Sequence, residues 1–350
     1  MKKFFSLRKS NIELLRIISM LMIIGVHWLG SSKAEISINH NSISYLIFVL
    51  VMSVCNLGVN IFALITGYFM ITFSEVSIKK IIKLLLDVLI YGIVFYFVSV
   101  LLKINSLSLG GFLKAGFPIL AGYRWFVKAY IVLYLLIPFL NKVLNQITKK
   151  QYTTFLIIMI MLFSIWPSFF PNPPIDDYGY GFIHLILMYT IAGFIRKFGL
   201  DLSKKKMLFL FCICILLTSV VHIGNFGFLG VFISYSWAYN SPLNIIAAVS
   251  LFGLFLKINF QSNIINIFSS SAFAVFLIHG DYNIMDFLFN NVFRASTTYD
   301  NIKWVPYMFI AIVIIYIVCS IIDFIKRMVI DSWLVNLLNK IKIINYKINI

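Results

Sequence analysis

About ten apolar stretches of roughly 17 to 25 residues divide this 350-residue chain, and roughly 20 such residues in a helix cross a bilayer's hydrocarbon core. They run approximately over 12–31, 45–72, 84–103, 121–141, 152–170, 181–196, 207–225, 241–256, 267–289 and 304–325. Few folds accommodate that pattern, because a chain in lipid must satisfy its backbone internally, as helices or a closed barrel. Stretches of this length predict helices. The expected class is an all-α polytopic membrane protein with about ten transmembrane helices. Composition agrees: 61% of residues are hydrophobic and 12% are charged, against about 25% charged in a soluble domain. A net charge of +17 would point to nucleic acid in a soluble chain. Here the basic residues sit in short loops between apolar stretches, a topology signal, so no nucleic-acid partner is expected.

Orientation follows from those loops. With the N-terminus inside, twenty-one Lys and Arg residues fall on the inner side and six on the outer side, so both ends are expected in the cytoplasm. Lys2, Lys3, Arg8 and Lys9 precede the first span and no small-residue cleavage site follows it, so it is expected to be retained. Residues 1–330 read as a single transmembrane domain. Residues 331–350 read as a basic amphipathic tail along the inner surface. Cys55, Cys212, Cys214 and Cys319 all fall in apolar segments, with neither disulfide nor zinc spacing, and read as small buried hydrophobes; no metal site is expected.

Chemistry must therefore lie within the helices or at their mouths. The first span carries Arg16 and His27. A charged side chain at membrane depth costs about 2.5–3.5 kcal/mol even on lenient scales, which makes the pair a candidate site. Their spacing puts both on one helix face, about 20° apart and roughly 16 Å along the axis. Glu13 falls near the same face. Gly67 suits close helix packing or a ligand near the backbone. Lys79, Lys80 and Lys83 suit either inner-side topology or a clamp for an anionic cofactor's phosphates. Tyr123 and Trp125 suit the outer interface belt, with Arg124 and Lys128 on one helix face. Lys128 either snorkels or needs an anionic partner inside. His279 and Asp281 put an imidazole beside a carboxylate in a late span, and Asp286 follows. His40, His184 and His222 read as interfacial or solvated, and Asp87 and Asp323 as partners for nearby lysines. No Walker A loop or dinucleotide fingerprint occurs.

Four segments in order resemble membrane acyltransferase family 3, the bacterial polysaccharide and lipid O-acetyltransferases. Arg16 and His27 match its Arg-x10-His signature. Phe62-Ala-Leu-Ile-Thr-Gly-Tyr68 is similar to its Phe-x-x-Ile-Ser-Gly-Tyr segment. Trp125 through Asn141 is similar to the fourth-span pattern of members found with Gram-positive capsule and exopolysaccharide clusters. Ala272 through His279 is similar to its late Phe-Gly-x-Tyr-x-x-His segment. Two departures stand out. Many members carry Arg-x-x-Arg after the Gly-Tyr segment, where this chain has only lysines, and some carry a Glu where this chain has Lys128.

The resemblance implies a multi-pass protein of the bacterial cytoplasmic membrane that moves an acetyl group from acetyl-CoA to a sugar hydroxyl. The acceptor would be a cell-surface polysaccharide or its lipid-linked precursor. CoA enters as a substrate, and no bound cofactor is expected. His27 would be the general base, because a hydroxyl must lose its proton as it attacks; Asp281 or Glu35 would orient its ring. Arg16 would hold a CoA phosphate or pair with Glu13. Lys79, Lys80 and Lys83 would bind the donor, and Trp125, Lys128, His279 and Asp281 the acceptor. A glycan exporter is the rival class, although no internal repeat or pair of broken spans in matching halves is visible.

Overall fold

Helix α1 (Ser10–Ser31) is apolar on nearly every face, and in the structure protein covers it on nearly every side. The computed structural model describes residues 9–224, 236–299, 301–331, 334 and 346–349. Expectations resting on Lys2, Lys3, Arg8, Lys340 and Lys342, and part of the Gly- and aromatic-rich stretch 222–242, lie outside them.

The elements after α1 are α2 (Ala34–Ser37), α3 (Ile43–Cys55), α4 (Gly58–Met70), β1 (Glu75–Ser77) and α5 (Ile78–Leu101). Then come α6 (Leu109–Gly116), α7 (Trp125–Gln146), α8 (Lys149–Ile160), α9 (Trp166–Phe169), α10 (Phe182–Phe198) and α11 (Lys204–Ile223). The last are α12 (Pro242–Leu256), α13 (Asn263–Ser269), α14 (Ala272–His279), α15 (Trp304–Lys326) and β2 (Lys347–Asn349). The protein is thus an all-α polytopic membrane protein. Two buried apolar clusters fill it. One draws on α4, α7, α8, α10, α11 and α12, the other on α3, α5, α14 and α15, and α1 supplies residues to both.

By length and apolarity alone, fewer helices qualify as spans than the expected ten. Among the described residues, 7 helical units are long and apolar enough to cross a membrane: α1, Ile43–Met70, α5, α7, Lys149–Phe169, α11 and Trp304–Asp331. The expected span 181–196 is α10, with 17 residues. The expected span 241–256 is α12, with 15. The expected span 267–289 breaks into short pieces, α13 and α14 of 7 and 8 residues among them. The physical reason is burial. Most of α10 packs inside the bundle, so it faces protein, and length matching to lipid does not constrain it.

Both described chain ends meet at one end of the bundle. Lys9 Nζ lies 6.0 Å from the Tyr68 ring near the end of α4, and β2 pairs antiparallel with β1 just beyond it. That agrees with two termini on the same side, as the charge pattern predicts. The tail does not simply lie on the surface: Leu334 is buried against Ile82, Leu86 and Ile90 of α5, and β2 adds to β1.

Gly67 serves close packing. A Cβ there would stand 2.6 Å from the Tyr189 carbonyl oxygen of α10. Backbone cannot yield as a side-chain tip can, so Gly67→Ala is expected to destabilise the protein by about 1–3 kcal/mol. Detergent-solubilised melting would check it; an unchanged melting temperature would show that α4 and α10 separate easily.

Candidate active site

Along α1, Arg16 and His27 point into two neighbouring cavities. The cavity at His27 is small, about 40 Å³, and is lined also by Asn56, Phe62, Trp125, Phe126, Tyr239, Phe273 and Phe276. The cavity at Arg16 is larger, about 300 Å³, and is lined also by Thr66, Tyr130, Ser269 and Ser270. A third, at Lys80, shares Leu84 and Tyr130 with the second. Lys80, Arg16 and His27 thus mark three successive chambers.

The hydrogen bonds of His27 fix its tautomer. His279 Nδ1 is 2.6 Å from the Val275 carbonyl oxygen, which can only accept, so His279 donates there and its Nε2 is an acceptor. His27 Nδ1 lies 3.0 Å from that Nε2 and must carry the hydrogen between them. The remaining ring nitrogen, His27 Nε2, is left with its lone pair. Gly280 makes room for the ring: a Cβ there would stand 3.2 Å from His27 Cε1.

The expected orienting carboxylates do something else. Asp281 is 1% exposed and pairs with Arg124 at 2.8 Å, while also accepting from the backbone and side chain of Asn283. Arg124 further donates to the carbonyls of Phe276, Leu277 and Gly280. It thereby satisfies the open carbonyl end of α14, the helix that ends on His279. Arg124 does not share a face of α7 with Lys128; it sits just before the helix in the left-handed region, φ 63°. Tyr123 stacks on Tyr282 beside the ion pair, centroids 4.1 Å apart. Arg124 is the residue whose role the sequence reading missed. Its signal was an unpaired buried-type cation and an unpaired carboxylate in separate spans, which lipid forces together.

Arg16 pairs with Glu13 at 2.9 Å, and Glu13 also accepts from Ser269 at 2.6 Å. The Arg16 side chain keeps 25% exposure to its cavity. The lysine cluster divides. Lys80 is exposed and lines the third cavity. Lys79 is half-buried, and Lys83 pairs with Asp331 at 2.8 Å, within a network joining Lys326, Asp87 and Asp331. Asp87 finds a lysine as expected; Asp323 instead pairs with Arg327 and accepts from Tyr91.

Trp125 lies in the His27 cavity, stacked on Tyr239 at 5.7 Å and edge-on to Tyr180 at 4.7 Å. Lys128 is exposed on the outside of the bundle and is not brought to the site. His184 corrects the interfacial reading: it is 2% exposed, bonded to Asn60 at 2.7 Å, and Asn60 in turn donates to the Tyr239 carbonyl. His222 is half-buried, stacked on Trp237, and lies 3.5 Å from Glu35. That hydrogen bond holds the Glu35 carboxyl below its usual range. Glu35 is therefore not the partner of His27. His40 is exposed, bonded to the Glu35 carbonyl.

A family model described as an acyltransferase domain matches residues 9–324. No curated protein and no solved structure matches the chain. The match takes in every residue of the chambers, the His27–His279 pair and the Arg124–Asp281 pair, and the chain belongs to membrane acyltransferase family 3.

Proposed function

We propose that the protein transfers an acetyl group from acetyl-CoA to a sugar hydroxyl of a cell-surface polysaccharide or its lipid-linked precursor. The observation that carries this reading is the His27 lone pair, held by the His279–Val275 chain and lining a chamber that also has an aromatic wall. A hydroxyl beside Nε2 loses its proton to it as its oxygen attacks the thioester carbonyl. The C–S bond breaks, the new C–O bond forms, and the proton passes on to the departing thiolate. The imidazolium formed in between is stabilised because its Nδ1–H already bonds to His279. Trp125, Tyr239 and Tyr180 offer the faces against which a sugar ring packs. The donor's anionic part would rest at Arg16 and Lys80, with its arm spanning the roughly 16 Å to His27. Family membership weighs against glycan export as the primary activity.

The experiment is O-acetyl analysis of the surface glycan with and without the protein, joined to acetyl-CoA-dependent transfer in membranes. Arg16→Gln is expected to raise the apparent KM for acetyl-CoA about tenfold or more, the value of a lost charged hydrogen bond, and Arg16→Lys less. Glu13→Gln added to Arg16→Gln is expected not to restore the donor KM. Recovery in the double variant would make Arg16 a partner of Glu13 only.

A further inference from the structure

Three rings line both the His27 cavity and the Arg16 cavity: Phe62 from α4, Phe126 from α7 and Phe273 from α14. Each is partly accessible, as a ring with open space on two sides must be. On one side stand Arg16, Thr66, Ser269 and Ser270; on the other, His27 and Asn56. The wall between these polar groups is aromatic. Phe276 buttresses it, edge-on to Phe126 at 5.8 Å and 6.3 Å from Phe273, and the same ring lies 6.3 Å from the His27 ring. Tyr130 stacks beneath Phe126 at 6.0 Å.

We propose that Phe62, Phe126 and Phe273 form a partition that the acyl end of the donor must pass, and that their rings set the largest acyl group transferred while keeping water from the thioester. The inference rests on the donor and base assignments above. Among the described residues, the wall a donor held at Arg16 meets on the way to His27 is these three rings. A two-carbon acyl group needs the least ring displacement. Each added methylene must be fitted against aromatic edges held by Phe276 and Tyr130, and one methylene in a tight apolar site changes discrimination by about 10–200-fold. When the partition opens to water, the thioester C–S bond breaks against water instead of a sugar hydroxyl, giving the free acid and CoA thiol.

The test uses the full-length protein in lipid nanodiscs with acetyl-, propionyl- and butyryl-CoA, reading thiol release with no sugar added. Surface-glycan acyl composition in cells complements it. Phe273→Ala is expected to raise the butyryl-to-acetyl ratio about tenfold or more and to raise acceptor-free thiol release severalfold. Phe62→Leu, a milder change that keeps the wall apolar, is expected to move both readouts the same way by less. If Phe273→Ala fails to fold, Phe62→Leu and Phe126→Leu carry the test alone. Unchanged ratios and unchanged hydrolysis in folded variants of an active protein would overturn the partition and leave the catalytic reading standing. A wild-type protein that transfers no acyl group from any of the three thioesters to its glycan would overturn both.

Discussion

His27→Ala is expected to lower acyl transfer by about 10²- to 10⁴-fold, the range that one positioned general base supplies. The protein should still insert and fold. The ring is partly exposed to its cavity rather than wedged into either apolar cluster, so its loss enlarges an existing space. His279 Nε2 would then face that space, where water can meet it. Acetyl-CoA-dependent transfer in membranes gives the rate, and fluorescence-detected size exclusion with heating gives the stability. A variant that keeps the wild-type glycan acetyl content would sink the assignment of His27 as base.

The second large effect is on stability. Arg124→Gln is expected to cost about 3–5 kcal/mol, the penalty for leaving one member of a buried ion pair without its partner. Asp281 would remain almost wholly buried, and the carbonyls of Phe276, Leu277 and Gly280 would each lose a donor. Adding Asp281→Asn removes the stranded charge and is expected to recover part of the loss. Melting of the purified protein would read both steps. An Arg124→Gln protein as stable as the wild type would mean that the pair is solvated and that the α14 terminus needs no cap.

The sequence carried α1 most clearly. Lipid penalises an arginine and an imidazole at depth so strongly that Arg16 and His27 stand out without any partner in view. The helical class was legible for the same reason: a run of apolar residues long enough to cross has few other solutions. The contacts between spans were not. Arg124 and Asp281 lie 157 positions apart, and nothing local to either names the other. The 8-residue length of α14 was hidden because its surroundings are protein, which supplies partners for a broken backbone that lipid would not. His184 looked interfacial only because Asn60, which satisfies it, sits in another helix. Lys83 read as topology or clamp because its partner Asp331 lies far along the chain. The three partition rings were legible only as positions within the family-like segments, Phe62 and Phe273 among them; their meeting at one wall had no signal, since Phe occurs 35 times and the pattern does not distinguish a cavity wall from a core.

The pairing of Glu75–Ser77 with Lys347–Asn349 has a bearing on biogenesis. The first strand is made early, and its partner emerges only after all the helices between them. Throughout synthesis, Glu75–Ser77 leads into α5 with its edge open. Lys347–Asn349 close it, with Lys347 meeting Glu75 across the pair. A polypeptide released before residue 347 can have every long helix inserted and still present an unpaired edge three residues from Lys80. Pairing of these two strands therefore follows synthesis of every described long helix, at the same end of the bundle where the Lys80 chamber begins.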